Sequence, residues 1–283
     1  MYINKLKTIL IYLCVFTMVI FSAGALLPKG EAEESGAVPL PVIMYHSICD
    51  DGEKTSKFVI SKSSLKQDLK YITESGYTPI SSWELIDFVE NGTPLPEKPI
   101  MITFDDGYFN NYCYAYPLLK EYNTKAIISI IGKYTDMYSE IDEENPNYSH
   151  ITWKQAREMY DSGLVEIQNH SYDSHTTDKG RNGTKKKKGE SGAAYASYML
   201  SDIGRLQQEI EQNLGYKPQV FAYPFGSVSE ASYDILKEMG FKITLSCEEK
   251  VNQIRQGDTE CLYMMDRYLR TNKRSAEEIL NGR

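Results

Sequence analysis

Residues 99–107 read Pro99-Ile100-Met101-Ile102-Thr103-Phe104-Asp105-Asp106-Gly107. Apart from Thr103, the first six are apolar at odd and even positions alike. A strand with that pattern is covered on both faces, the habit of parallel sheets rather than of half-solvated antiparallel ones. The two acids and the glycine follow at its C-terminal end. The same arrangement recurs outward along the chain. Short apolar strands are expected at 38–45, 126–131, 164–168, 220–223, 242–246 and 261–265. Between them fall helical patterns. One is capped by Ser61, runs over Leu65, Leu69 and Ile72, and stops at Gly76; others are expected at 82–90, 112–122, 153–162, 194–214, 229–239 and 275–280. Strands alternating with helices predict an α/β fold with a parallel sheet. The polar clusters all lie at C-terminal strand ends, where (β/α) barrels carry their chemistry. The expected architecture is a single catalytic domain, an irregular (β/α) barrel with fewer than eight strands.

The whole chain has 283 residues, 41% hydrophobic, enough for one sizeable core. Its net charge of −8 argues against nucleic acid as a partner. Tyrosine is abundant, with 22 copies, and suits sugar-lined clefts as well as ordinary packing. Lys5 and Lys7 precede an apolar run at 9–21, and Ser22-Ala23-Gly24-Ala25 follows. That sequence predicts a secretory signal peptide, cleaved after Ala25, or an uncleaved membrane anchor over 1–27. Residues 28–38 form a linker and 39–283 the domain, secreted or held on the outer face of the membrane and expected as a monomer. Cys14 has no small residue before it, which argues against lipid attachment. Four cysteines remain, Cys49, Cys113, Cys247 and Cys261, and none has metal-site spacing. Free thiols are expected, or at most one Cys247–Cys261 bridge. The run Lys185-Lys186-Lys187-Lys188 is a solvated loop or a basic flap beside the cleft.

Two segments carry chemistry. In an extended chain the side chains of Asp105 and Asp106 point to opposite sides, so one can bind a metal while the other faces a substrate. Gly107 lets the chain turn beside them. An isolated Asp-Asp-Gly would be an acidic turn, but His170-Ser171-Tyr172-Asp173-Ser174-His175 lies downstream. Histidines five apart do not share a helix face, so a loop curling around an ion is expected. Nitrogen and oxygen donors suit zinc, and three protein ligands leave a position for water. Ser171 and Asp173 are candidates to orient the imidazoles. Two exposed loop histidines are the plain alternative. His150 has no sequence partner and reads as a loop residue.

These residues resemble the polysaccharide deacetylases of carbohydrate esterase family four, over about residues 39–270. Thr103-Phe104-Asp105-Asp106-Gly107 is similar to the first family motif. His170 to His175 is similar to the second, with the longer spacing seen in the branch acting on poly-N-acetylglucosamine. Ala222-Tyr223-Pro224-Phe225-Gly226 resembles the third. The resemblance implies a deformed (β/α) barrel, a divalent metal (zinc, or cobalt, nickel or manganese) and removal of acetyl groups from an acetylated surface glycan. It implies Asp105 as general base, Asp106, His170 and His175 as metal ligands, and the Phe225 N–H as an oxyanion donor.

There are two departures. No histidine follows His175, so the general-acid role passes to His46, at the end of the first strand, as in the permuted branch; a structural histidine is the alternative. Phe221 and Ala222 stand where the family often has an arginine paired with the base. Arg267, beside Asp266 at the end of the expected last strand, is the candidate replacement, or part of a structural salt bridge. The family's fourth-motif tryptophan has no clear counterpart. Implied overall is a metal-dependent N-deacetylase of an N-acetylhexosamine polymer: poly-N-acetylglucosamine, peptidoglycan or chitin-like. An O-acetyl esterase of the xylan type and a glycan-binding pseudoenzyme are the alternatives.

Overall fold

The computed structural model of the chain describes residues 36–282, so the expected leader at 1–27 and most of the linker lie outside the described residues. Seven strands form one parallel path. In spatial order they are β10 (Ile243–Leu245), β9 (Val220–Ala222), β8 (Val165–Asn169), β7 (Ala126–Ile130), β6 (Pro99–Phe104), β2 (Val42–Tyr45) and β12 (Tyr268–Leu269). The two-residue strand β5 (Thr78–Pro79) pairs with the start of β6, off this path. Small pairings of β1 (Ala37–Leu40) with β11 (Asn252–Arg255), and of β3 (Ser47–Cys49) with β4 (Val59–Ser61), flank the sheet.

The alternation of side chains along each strand sorts the core into layers. Ile100, Ile102 and Phe104 of β6 join Ile128, Ile130 and Ile167 against the helices. Those helices are α1 (Lys62–Glu74), α2 (Ser82–Asn91), α3 (Tyr116–Glu121), α4 (Gly132–Ile141), α5 (Trp153–Asp161), α6 (Gly192–Leu214), α7 (Glu230–Glu238) and α8 (Ala276–Leu280). Met101 faces the other way, in a second cluster with Val42, Ile127, Val220, Ala222, Ile243 and Leu245. Period two therefore carries Met101, Thr103 and Asp105 along one face, towards the interior of the curled sheet.

The last part of the chain draws the two ends of the sheet together. Met265 N–H donates to Thr244 O, Ser246 N–H to Met265 O and Arg267 N–H to Glu248 O, each at 2.8 Å. The same segment runs on into β12, which pairs with β2. The strand expected at 261–265 is replaced by a 3-10 turn, Thr259–Leu262, and Arg267 precedes the last strand instead of ending one. Leu262 and Met265 are buried, which mimics a strand pattern, but Met264 at φ 55° cannot be extended. The residues expected as a helix at 112–122 form a π-turn, Asn111–Ala115, before α3. Helix α4 carries no capping side chain to announce it. Its first N–H groups, on Gly132 and Lys133, donate to the carbonyls of Ser171 and Tyr172 at 3.2 and 2.9 Å.

One buried ion pair ties α1 to the C-terminal segment. Arg270 Nε donates to Asp68 Oδ2 at 2.7 Å and Nη2 to Asp68 Oδ1 at 3.2 Å. Tyr45 Oη and the Ala276 N–H also donate to this carboxylate. Removing one member of a buried pair leaves the other charge without compensation. Asp68→Ala is therefore expected to cost about 3–5 kcal/mol in urea unfolding, against under about 0.5 kcal/mol for the exposed Glu74→Ala.

Candidate active site

Strand β6 ends inside the sheet's mouth, and the two acids after it meet different surroundings. Asp105 is buried, with 2% of its surface exposed. Arg267, wholly buried, grips it with both arms: Nη1 to Oδ1 at 2.8 Å and Nη2 to Oδ2 at 2.9 Å. A further donation from Arg267 Nε to Ser246 O at 2.8 Å fixes the guanidinium on the seam described above. Burial pushes the Asp105 carboxyl upward, but the adjacent guanidinium outweighs it and holds the group well below the usual carboxylate range. The planar fork suits this bidentate contact.

Asp106 turns away at φ 73°, and Gly107 continues the left-handed turn at φ 67°. A Cβ on Gly107 would stand 2.9 Å from Ile130 Cγ2, so glycine meets both the angle and the close approach to β7. Asp106 Oδ1 is buried and has no hydrogen-bond partner. Facing it are His175 Nε2 at 3.3 Å and His170 Nε2 at 3.5 Å. The Nδ1 of His170 lies 2.8 Å from Ala222 O, so Nδ1 carries the proton and Nε2 presents its lone pair. Burial, with the Asp105 charge next, pushes Asp106 up to about 7. Burial pulls His170 down to about 3 and lowers His175. An orphaned buried carboxylate oxygen facing two neutral imidazoles is what a bound cation would satisfy. The three donor atoms lie within 4.8 Å of one another and form a possible metal site. One oxygen and two nitrogens fit a divalent metal of the zinc type.

His46, Phe225, Asp105, Asp106, His170 and His175 all line one cleft of about 800 Å³. The His46 ring leans on Phe58 at 4.9 Å, its Nδ1 is buried without a partner, and burial lowers it to about 4 despite the nearby Asp105. Phe225 sits at φ 58° with its ring exposed and 4.3 Å from that of His175. Behind it the basic loop folds back. A Cβ on Gly183 would stand 2.8 Å from Pro224 O, and Arg181 pairs with Glu190 at 2.5 Å.

Several neighbours differ from expectation. Asp266 makes no pair with Arg267; its carboxylate accepts from Ser246 Oγ at 3.1 Å. Ser171 and Asp173 do not hold the imidazoles. The Ser171 hydroxyl is unpartnered and Asp173 pairs with Lys133 at 2.9 Å. Ala222 O orients His170 instead, a main-chain contact that no side-chain pattern announces. The four cysteines are free, and Cys247 lines the cleft, its Sγ 3.8 Å from Arg267 Nη2. His150, which reads as a loop residue in the sequence, is buried beside Asp106.

A polysaccharide deacetylase family model matches residues 92–244, more than half of the chain, and the chain belongs to that family. Among similar proteins is the poly-beta-1,6-N-acetyl-D-glucosamine N-deacetylase of Escherichia coli K12, 25% identical over 242 residues. The match takes in 77% of this chain but 35% of that protein. The protein of the same name from Staphylococcus aureus MRSA252 is 26% identical over 199 residues, 70% of this chain and 64% of that one. The chain thus spans about a third to two thirds of the length of these curated relatives. A de-N-acetylase structure from Aggregatibacter actinomycetemcomitans superposes with a TM-score of 0.73 at 28% identity, covering 86% of this chain and 99% of that one. The structure of IcaB from Ammonifex degensii gives 0.69 at 26%, covering 86% and 96%. The curled parallel sheet is therefore the fold of this family.

Arg267 is the sole counter-charge in hydrogen-bond contact with Asp105 among the described residues. Arg267→Met should cost about 3–5 kcal/mol of stability, and Arg267→Lys should recover only part of it, because a point charge cannot make the two-armed contact. Chemical denaturation of the three proteins measures both.

Proposed function

We propose that the domain is a metal-dependent hydrolase that removes N-acetyl groups from an N-acetylhexosamine polymer of the cell surface, releasing acetate. The observation that carries this is the pairing of two dissimilar acids at one cleft. Asp105 is held ionised by Arg267, while Asp106 shares a donor cluster with His170 and His175. The names of the relatives, poly-beta-1,6-N-acetyl-D-glucosamine N-deacetylases, support the amide of an amino sugar as the bond cleaved and poly-N-acetylglucosamine as the first polymer to test. The leader expected at 1–27 supports work outside the cytoplasm. Among the described residues, no helix is long and apolar enough to cross a membrane.

Asp106, His170 and His175 would hold the metal, with zinc the first candidate. A divalent ion there supplies a Lewis acid that acidifies water and polarises a carbonyl. Asp105 takes the proton of the water that attacks the acetamide carbon, as general base. The N–H of Phe225 donates to the oxyanion that develops. His46 protonates the departing nitrogen. Its imidazole is neutral in the free cleft, so the proton it delivers is one gained during the reaction, and Asp105 lines the same cleft as its source. The products are acetate and a free amino sugar.

The test uses the full chain, stripped of metal and reloaded with zinc or cobalt, on β-1,6-linked N-acetylglucosamine oligomers. Acetate release should depend on the metal. Asp105→Asn should lower turnover by about 100-fold or more with metal content unchanged, and His170→Ala should lose both metal and turnover. Ordinary turnover in Asp105→Asn would sink the mechanism. Ester cleavage of acetylxylan that survives His46→Ala, with no amide cleavage in the parent, would replace the N-deacetylase by an O-acetyl esterase.

A further inference from the structure

Asp106 is a non-glycine residue in the left-handed region, at φ 73°, and its carboxylate direction depends on that turn. Aspartate enters this region more readily than most L residues, yet a buried one is held there by its surroundings. The surroundings here are specific. The segment after the turn pairs with residues 149–151 through Phe109 N–H to Ser149 O at 2.7 Å and Ile151 N–H to Gly107 O at 2.9 Å. That pairing sets His150 against the turn, with Nδ1 3.0 Å from the carbonyl oxygen of Asp106. A carbonyl only accepts, so Nδ1 must be the protonated nitrogen. Three tyrosine rings hold the imidazole: Tyr134 at 4.6 Å, Tyr108 at 4.8 Å and Tyr138 at 5.7 Å. Tyr108 also lines the cleft beside Asp106. One aromatic cluster therefore backs the Asp106 main chain and borders the cleft that Asp106 lines.

We infer that His150 is a positioning residue for the metal site: its Nδ1–H, clamped by the tyrosine rings, holds the Asp106 carbonyl and so aims the Asp106 carboxylate at His170 and His175. It is neither a lining residue of the cleft nor one of the three donors, and acts through the turn. The inference rests on the proposal that Asp106, His170 and His175 bind the metal. Groups that orient a ligand from behind typically change metal affinity about 10- to 100-fold when removed.

The experiment measures cobalt affinity of the metal-stripped full chain by equilibrium competition, with the cobalt visible spectrum as a second readout. His150→Phe keeps a ring between the tyrosines and removes the donor. His150→Asn keeps an amide N–H near the Nδ1 position, and His150→Gln moves it one bond further out. Expected is about a 10-fold or greater loss of affinity in His150→Phe, with an altered cobalt spectrum, near-parental affinity in His150→Asn, and loss again in His150→Gln. If His150→Phe does not fold, the contrast between Asn and Gln decides alone. Equal affinity and spectra in all variants, alongside loss in Asp106→Ala, would overturn the positioning role. Absence of cobalt binding by the parent chain would instead overturn the metal site itself.

Discussion

Everything at the mouth of this sheet is arranged around a charge that cannot be solvated. Asp105 sits on the inner face of β6 with almost no exposure, and ionising it there is affordable only because Arg267 lies against both oxygens. The arginine in turn is anchored on the segment that joins β10 to β12. The same contact thus keeps one acid ionised and holds the closing segment to β6. The carboxylate next to it has no such partner. Two acids adjacent in sequence diverge in character because one is compensated by a fixed protein cation and the other is left to face two neutral imidazoles.

Much of this was legible in the sequence. The unbroken apolar run before Asp105 marks a doubly covered strand, and β6 has the expected bounds, Pro99–Phe104. The donors Asp106, His170 and His175 share one cluster, and His46 lines the same cleft from the other side of β6. What escaped has a common physical origin: it depends on main-chain atoms or on distant packing. Helix α4 has its first N–H groups satisfied by the carbonyls of the second motif's loop, so no capping residue announces it. The carbonyl of Ala222 orients His170, and any residue type could have supplied it. The turn at Met264 interrupts a pattern that otherwise reads as a strand, and displaces the expected last strand to Tyr268–Leu269.

Arg267 lies between these cases. The family resemblance suggested it as the replacement for an arginine paired with Asp105, or as part of a structural salt bridge, and its guanidinium lies bidentate on that carboxylate. Asp266, equally suggestive as its neighbour, turns its carboxylate to the Ser246 hydroxyl, while its main-chain N–H donates to Asn252 Oδ1. Consecutive residues in extended chain face opposite ways, so a charged pair in sequence is rarely a charged pair in space.

The strand order also has a kinetic consequence. Strand β2, which ends beside His46, lies between β6 and β12, and β12 follows Arg267 near the far end of the chain. During synthesis the strands from β6 to β10 can pair with neighbours already made, whereas the β2 edge stays open until residues around 265–270 emerge. Pairing across more than two hundred residues is entropically slow and leaves an exposed strand edge in the meantime. Arg267 lies later in the chain than Asp106, His170 and His175, on the segment that reaches β2, so the buried carboxylate gains its counter-charge only when the closing segment is in place.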